Sequence, residues 1–188
     1  LSDKKIINNF KNTNTLLIIK KNNLNYNNKI LKKIIKTKKN YLFDGVSINS
    51  KSVKKNNMFI ALKGKKKDGH NFLNQALQRK ASFCVVNQIN KKKSKYLKVE
   101  NTMKFLNEFA KKKRNLSSTR FIAITGSTGK TTVKTMLGNL LNQFSKTYFS
   151  PRSYNNRYGV PLSISNINPD DNFGVFEVGM SKAGEIRK

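Results

Sequence analysis

A short segment in the second half of the sequence combines glycines, a lysine and hydroxyl side chains, the residue types that bind phosphate. The segment reads Gly126-Ser127-Thr128-Gly129-Lys130-Thr131-Thr132. Glycines allow successive backbone N–H groups to point at phosphate oxygens, and a helix that follows adds its positive amino end. Lys130 would then reach the terminal phosphates, and the Thr131 hydroxyl would ligate Mg²⁺. We therefore predict that these seven residues bind the phosphates of a ligand together with Mg²⁺.

The spacing of this loop departs from the general nucleotide-binding pattern, which has a further glycine two residues before Gly126. This chain has Ile124 there, so the loop is a shortened variant. The alternative interpretation is a simple turn before a basic helix. Phosphate binding is favoured because the β-branched run Phe121–Thr125 precedes the loop and apolar residues at helical spacing follow it. Those apolar residues are Val133, Met136, Leu137, Leu140 and Leu141.

Three further polar residues are candidates for the same site. Glu177 stands inside the apolar run Phe173–Val178, where a carboxylate is costly unless it is paired or bound to a metal. An ion pair with a nearby Lys or Arg is therefore one interpretation of Glu177. Asn155 and Asn156 are candidate substrate-binding residues, as polar contacts to metal or phosphate, although an asparagine pair also suits a turn.

The elements that must position these residues alternate between short apolar strands and amphipathic helices. Strand, glycine turn and helix in this order open an α/β domain with a parallel sheet. The predicted strands are Leu16–Ile19, Met58–Leu62, Ser82–Val86, Phe121–Thr125 and Phe173–Val178. Helices are expected around Ile30–Ile35, from Phe72 to about Lys80, from Thr102 to the basic stretch ending at Arg114, and after the glycine loop.

A polar and charged stretch divides these elements into two groups. Residues 111–119 show no apolar periodicity, which is typical of a linker. We therefore predict one domain over residues 41–115 and the first part of a second over residues 116–188. Residues 1–40 are rich in Lys, Asn and Ile, and are expected to be an N-terminal extension or a clipped segment.

Composition excludes several classes of protein. The 188 residues carry a formal net charge of +30, which attracts nucleic acid, but the lysines are dispersed among Asn and Ile, as A/T-rich codons alone produce. A basic nucleic-acid-binding module stays an alternative. The single cysteine, Cys84, lies in an apolar run and predicts a buried thiol. Since no apolar run is long enough to cross a bilayer and no signal peptide is present, we expect a cytoplasmic protein without a membrane partner.

The shortened loop resembles that of the Mur ligases and their folylpolyglutamate synthase relatives. Other segments are similar to the Mur ligases in the same order along the chain, from about Phe43 to Lys188. In the second half these are Asn155–Leu162, Phe176–Met180 and Gly184–Ile186. In the first half, Val46–Lys51, Phe59–Gly64 and Asp68–Phe72 are similar to the UDP-sugar-binding domain of the family.

The resemblance implies an α/β fold: a small N-terminal UDP-sugar-binding domain, followed by the start of a parallel-sheet P-loop ATP-binding domain. It makes the glycine loop Gly126–Thr132 the ATP site, Lys130 the catalytic cation and Glu177 a second Mg²⁺ ligand. Ser50 and the loop Lys65, Lys66 and Lys67 match positions that lie against the uridine diphosphate in related ligases. Asn49 and Lys51 replace the usual Asp and Arg of the family, which weakens the case for polar contacts from these two. The only histidine, His70, is expected to have a structural or substrate-domain role.

The activity that the resemblance implies is ATP-dependent amide-bond formation. ATP phosphorylates the terminal carboxylate of UDP-N-acetylmuramoyl-tripeptide to an acyl phosphate, which the amine of D-alanyl-D-alanine attacks. The alternative within the family is the neighbouring ligase, which adds the third amino acid. We expect a monomer with no specific nucleic-acid partner. Because the rest of the central domain and the C-terminal domain are missing, we expect the chain to bind parts of its substrates without turnover.

Overall fold

Two parallel β-sheets organise the residues that this computed structural model describes, 13–89 and 94–179. The first sheet contains β1 (Gly45–Ser47), β2 (Asn57–Ile60), β3 (Phe83–Val86) and β4 (Tyr96–Lys98), in that order. The second contains β5 (Arg120–Ile124), β6 (Thr147–Phe149) and β7 (Phe173–Glu177), with β7 in the centre. The expected strands from Met58 onward are confirmed, and parallel pairing throughout confirms the α/β class.

Five helices connect or cover these strands within the described residues. They are α1 (Thr13–Ile35), α2 (Leu73–Gln78), α3 (Thr102–Leu116), α4 (Lys130–Phe144) and α5 (Gly159–Ser165). Two 3₁₀ turns, Ser50–Ser52 and Gly69–Phe72, follow β1 and β2. Among the described residues, no helix combines the length and the apolar character needed to cross a membrane.

The strand expected at Leu16–Ile19 is wrong, because these residues belong to α1. Four consecutive apolar residues suit a buried strand and a helix equally, so periodicity alone does not separate the two. The helix expected around Ile30–Ile35 is confirmed. Ile30 and Leu31 of α1 are fully buried in the core of the first sheet.

The linker expected at residues 111–119 is also partly wrong, because α3 continues to Leu116. Phe105, Phe109 and Lys113 recur every four residues on the buried face of this helix, where Lys113 is only 2% exposed. The apolar stem of a lysine can occupy such a face when its amino group finds acceptors. The stretch lacks apolar periodicity in the sequence because a lysine, Lys113, occupies the buried position in the last turn of the helix.

The amino group of Lys113 joins three helices. Its Nζ donates to Asn27 Oδ1 in α1 at 2.8 Å and to the carbonyl of Ser165 in α5 at 2.9 Å. Burial lowers the pKa of Lys113 to about 7, although the carboxylate of Asp171 acts in the opposite direction. The two acceptors match the two N–H donors of a neutral amine.

Lys113 should make the protein more stable as the pH rises from 7 to 9. In this window the unfolded chain holds a proton on Lys113 that the folded protein has released, so stability increases with pH. We expect a gain of about 2 kcal/mol in the free energy of unfolding. Above pH 9 Cys84 opposes the trend, because burial raises the pKa of its thiol to about 12.

Urea denaturation at several pH values measures this effect in the wild type, in Lys113→Met and in the control Lys111→Met, which alters an exposed lysine of the same helix. Lys113→Met should flatten the pH dependence and Lys111→Met should preserve it. An unchanged slope in Lys113→Met would show that Lys113 is not the responsible group.

The second half of the chain contributes to the hydrophobic cluster of the first sheet. Leu162 of α5, which follows β6, packs among side chains of the first sheet. Asn166 also binds the free edge of β1, accepting from the N–H of Val46 at 2.8 Å and donating to its carbonyl at 3.0 Å. The cluster contains Ile30, Leu31, Phe43, Val46, Met58, Ile60, Phe83, Val85, Leu97, Phe105, Leu106, Phe109 and Leu162. The domain division near residue 115 stays a prediction.

Candidate functional site

The glycine loop connects the end of β5 to the start of α4. Gly126 has a φ of 146° and Gly129 a φ of 72°, values that residues with a Cβ rarely adopt. A Cβ on Gly129 would meet no atom within 4 Å, so the backbone conformation, rather than space, requires glycine there. Since α4 begins at Lys130, its amino end faces the loop, as an anion site requires.

The side chain of Lys130 folds back over the loop. Its Nζ donates to the carbonyls of Gly126 at 2.6 Å and Ser127 at 3.1 Å. Carbonyl oxygens carry only partial charge, whereas a phosphate would offer full negative charge at the same place. The ammonium is therefore held at the loop, where phosphate oxygens could replace the two carbonyls as its hydrogen-bond acceptors.

The pairing of β5 with β7 places Glu177 beside the loop, because Glu177 lies opposite Ile124, the last residue of β5. The Thr131 hydroxyl donates to Glu177 Oε2 at 2.8 Å. The two residues predicted to ligate Mg²⁺, 46 positions apart in the sequence, are thus direct neighbours. The side chain of Glu177 is only 2% exposed.

The two candidate asparagines have different surroundings. The Asn155 side-chain amide donates to Glu177 Oε1 at 2.7 Å, and its backbone carbonyl accepts from Gly179 N at 2.8 Å. Asn155 therefore fixes the orientation of the carboxylate. Asn156 Oδ1 instead accepts from the backbone N–H groups of Tyr158 at 3.0 Å and Gly159 at 2.9 Å, at the start of α5.

Sequence reasoning missed one residue of this cluster, Lys134. Its Nζ lies 3.7 Å from Glu177 Oε2, and its side chain is 1% exposed. The only hint in the sequence was the alternative interpretation of Glu177 as half of an ion pair with a nearby basic residue, without an assigned partner. The structure shows that Glu177 is paired in this way while it also contacts Thr131.

The environment of Glu177 keeps its carboxylate ionised. Burial raises the pKa of Glu177, but the hydrogen bonds from Thr131 and Asn155 and the charges of Lys134 and Lys130 lower it by more. The resulting pKa lies below the ordinary value for glutamate. The cluster therefore presents a negative oxygen donor at neutral pH.

The donor set fits a magnesium ion that is held together with a nucleotide. No group of three or more His, Cys, Asp or Glu side chains capable of holding a metal occurs in the described residues. Mg²⁺ instead takes one or two carboxylates with phosphate oxygens and water. The hydroxyl of Thr131 and the carboxylate of Glu177 are two oxygen donors of this kind.

The candidate residues for UDP-sugar binding lie at the carboxyl edge of the first sheet. Ser50 follows β1, and the turn Lys65–Lys67 follows β2; carboxyl ends of adjacent parallel strands meet at one edge, where ligands bind in open α/β sheets. Ser50 is buried, and its Oγ donates to Gln75 Oε1 at 2.5 Å. All three lysines are exposed. The Glu177 cluster does not include these four residues.

His70 fixes the loop after β2. Its Nδ1 lies 2.6 Å from Asp68 Oδ1, and its Nε2 accepts from the backbone N–H of Asn87, after β3, at 3.3 Å. The backbone N–H of His70 is the largest cause that lowers the pKa of Asp68. These contacts agree with the structural role that was expected.

A cleft of about 690 Å³ between β1 and β6 was not anticipated from the sequence. It opens where an edge strand of one sheet faces an edge strand of the other, so no local motif indicates it. Its polar lining includes Asp44, Asn49, Lys54, Lys55, Tyr148, Tyr154 and Asn166. Two parts of the family resemblance lie outside the described residues: Met180, which ends the segment Phe176–Met180, and the segment Gly184–Ile186.

Two family models match the chain. The model described as "Mur ligase family, catalytic domain" matches residues 42–114, and the "Mur ligase middle domain" model matches residues 124–188. UDP-N-acetylmuramoyl-tripeptide–D-alanyl-D-alanine ligase of Rickettsia prowazekii is 38% identical over 144 residues, covering 75% of this chain and 32% of the relative. The ligase of the same name from Escherichia coli is 32% identical over 143 residues, covering 76% and 32%.

Solved structures agree with these relatives. MurF from Acinetobacter baumannii superposes with a TM-score of 0.72 at 26% identity, covering 85% of this chain and 37% of that protein. MurF ligase from Thermotoga maritima in complex with ADP gives a TM-score of 0.62 at 34% identity, covering 76% and 33%. The chain spans about a third of the length of the curated relatives it matches.

Proposed function

Because this chain belongs to the Mur ligase family, we propose that it forms the front part of an ATP-dependent ligase that joins D-alanyl-D-alanine to UDP-N-acetylmuramoyl-tripeptide. One observation carries the proposal: the glycine loop, the Thr131 hydroxyl and the buried Glu177 carboxylate meet at the carboxyl edge of one parallel sheet. The similar ligase from Thermotoga maritima was solved with ADP, which supports nucleotide binding at this loop.

In the proposed reaction, the terminal carboxylate of the tripeptide takes the γ-phosphoryl group of ATP, and ADP leaves. The amine of D-alanyl-D-alanine then displaces phosphate and forms the amide. Lys130 would hold the terminal phosphates and spread their charge during transfer. Bound Mg²⁺ would neutralise phosphate charge, and Thr131 and Glu177 would hold it. Asn155 keeps the carboxylate of Glu177 in the required orientation.

We propose that the UDP-sugar binds at the carboxyl edge of the first sheet. Ser50 and the Lys65–Lys67 turn follow neighbouring strands there, and exposed lysines suit a diphosphate. Asn156 stays a candidate substrate contact, through the amide nitrogen that its Oδ1 contacts leave available. A monomer in the cytoplasm, where the nucleotide-linked substrate and ATP would occur, completes the proposal.

Two alternatives make different predictions. The ligase for the third amino acid would share the nucleotide site but accept a UDP-linked dipeptide and an amino acid. The D-alanyl-D-alanine ligase is preferred because the curated relatives described above carry that name. A nucleic-acid-binding module would rest on the net charge of +30 alone, and no basic–aromatic recognition motif supports it.

Calorimetric titration of the chain separates these functions. We expect saturable 1:1 binding of ADP with Mg²⁺ and of UDP-N-acetylmuramoyl-tripeptide, at low and at physiological salt. DNA binding should be weak and lack sequence preference, with log K falling by about 0.9 per log unit of salt for each phosphate contact. Tight, sequence-selective DNA binding at physiological salt, without ADP binding, would contradict the ligase assignment.

A further inference from the structure

Lys134 is a second lysine of α4 that lies beside Glu177, and the proposed reaction gives it no role. It is buried to 1% exposure, and its ammonium donates to the carbonyl of Arg152 in the segment after β6. Arg152 has a left-handed φ of 52°, which is unusual for a residue with a Cβ. The carbonyl of Arg152, in this left-handed backbone position, therefore holds the ammonium beside Glu177.

The contact between Lys134 and Glu177 acts through charge. Glu177 Oε1 accepts from Asn155 at 2.7 Å and Oε2 accepts from Thr131 at 2.8 Å. The Lys134 ammonium stays 3.7 Å from Oε2, beyond ordinary hydrogen-bond length. Asn155 and Thr131 therefore orient the carboxylate, while Lys134 supplies a positive charge in a place where solvent screens it little.

The charges of the site decide which ligands can enter alone. The site has one carboxylate, Glu177, and two ammonium groups, Lys134 at 3.7 Å from Glu177 and Lys130 at the adjacent loop, so it is positive before any ligand binds. A free divalent cation would add to this excess, whereas a nucleotide polyphosphate would reverse it. Charge balance therefore favours the anion first, or the anion and the cation together.

We propose that Lys134 is a positioning residue that makes cation binding at Glu177 conditional on the nucleotide. The inference rests on the proposed function of the loop and deepens it. Without Lys134, Glu177 and Lys130 would balance one another, and the carboxylate would attract a divalent cation by itself. The same loss of charge would weaken binding of the nucleotide without metal. Lys134 thus acts on the two ligands in opposite directions.

Two titrations of the complete chain test this inference. The first measures binding of Mn²⁺ alone by electron paramagnetic resonance, with Mn²⁺ as a spectroscopic substitute for Mg²⁺. The second measures binding of ADP in the presence of EDTA by calorimetry. The variants are Lys134→Met, which removes the charge, and Lys134→Gln, which removes the charge but keeps an N–H donor. Lys146→Met is the matched control, because Lys146 pairs with Asp170 and precedes β6, at the opposite end of that strand from the site.

We expect Lys134→Met to bind Mn²⁺ roughly tenfold more tightly than the wild type and metal-free ADP roughly tenfold more weakly. Lys134→Gln should shift both constants in the same directions, and it decides the test if Lys134→Met lacks a cooperative unfolding transition. Lys146→Met should change neither constant. If both ligands weaken together, in step with a lower melting temperature, Lys134 is only structural and the inference is wrong. Absence of ADP binding in the wild type would instead contradict the proposed function itself.

Discussion

Replacing Lys130 with alanine should remove the proposed ligase activity from a full-length protein that carries this chain. Lys130 is the only full positive charge within the glycine loop, and its ammonium already lies at the loop carbonyls, 2.6 Å from Gly126 O. Such a cation stabilises the charge that develops on a transferring phosphoryl group. We therefore expect its removal to lower kcat by roughly 10³-fold or more.

Single-turnover formation of ADP measures the chemical step directly. Titration of UDP-N-acetylmuramoyl-tripeptide measures binding at the UDP-sugar site proposed at the first sheet. The Lys130→Ala variant should retain UDP-sugar binding, because the substrate residues proposed at the first sheet follow β1 and β2. Lys146→Ala serves as the control, since it removes the same charge from an exposed ion pair with Asp170. Activity of Lys130→Ala within about tenfold of the wild type, a barrier change below about 1.4 kcal/mol, would show that Lys130 is not the catalytic cation.

Replacing Phe109 with alanine should produce the largest loss of stability. Phe109 is fully buried in α3 and packs against the rings of Phe43 at 5.7 Å and Phe105 at 6.4 Å. Truncation of a buried aromatic ring removes transfer energy and leaves a cavity, with a cost of about 3–5 kcal/mol in the free energy of unfolding. For a chain of this size, the melting temperature should fall by roughly 6–20 °C.

Phe144→Ala is a matched control, because it makes the same chemical change at the end of α4, where the side chain is 80% exposed in the described part of the chain. Its effect should stay within about 0.5 kcal/mol. Urea denaturation followed by circular dichroism measures both variants. Equal losses of stability would show that Phe109 does not belong to the buried core of the first sheet.

Local patterns in the sequence were enough to identify the strand, glycine loop and helix of the proposed nucleotide site. A phosphate loop is built from consecutive residues, so Gly126–Thr132 contains nearly all the information that its shape requires. The argument for Glu177 was of a similar kind, because a lone carboxylate in an apolar strand needs a partner wherever that strand lies. The strand β5 beside the loop was likewise evident from its β-branched composition.

The tertiary structure alone decided which residues meet. Asn27 and Lys113 are 86 positions apart, and Asn155 and Glu177 are 22 apart; no spacing rule connects such pairs. Contacts of this kind reversed the expectation for residues 111–119, since a lysine on an apolar helix face is indistinguishable from a solvated one until its acceptors are known.

Helix α4 shows most directly which features the sequence determined and which depended on the tertiary structure. Periodicity correctly predicted the helix, but its apolar stripe, which includes Met136 at 67% exposed and Leu140 at 53%, faces outward within the described residues. The face that packs on the second sheet carries Lys134 and Gly138 instead, both buried. A sequence determines which residues share a helix face, because that depends on neighbours three and four positions away. Which face is buried depends on strands that are distant in the chain, so only the tertiary structure revealed Lys134 beside Glu177.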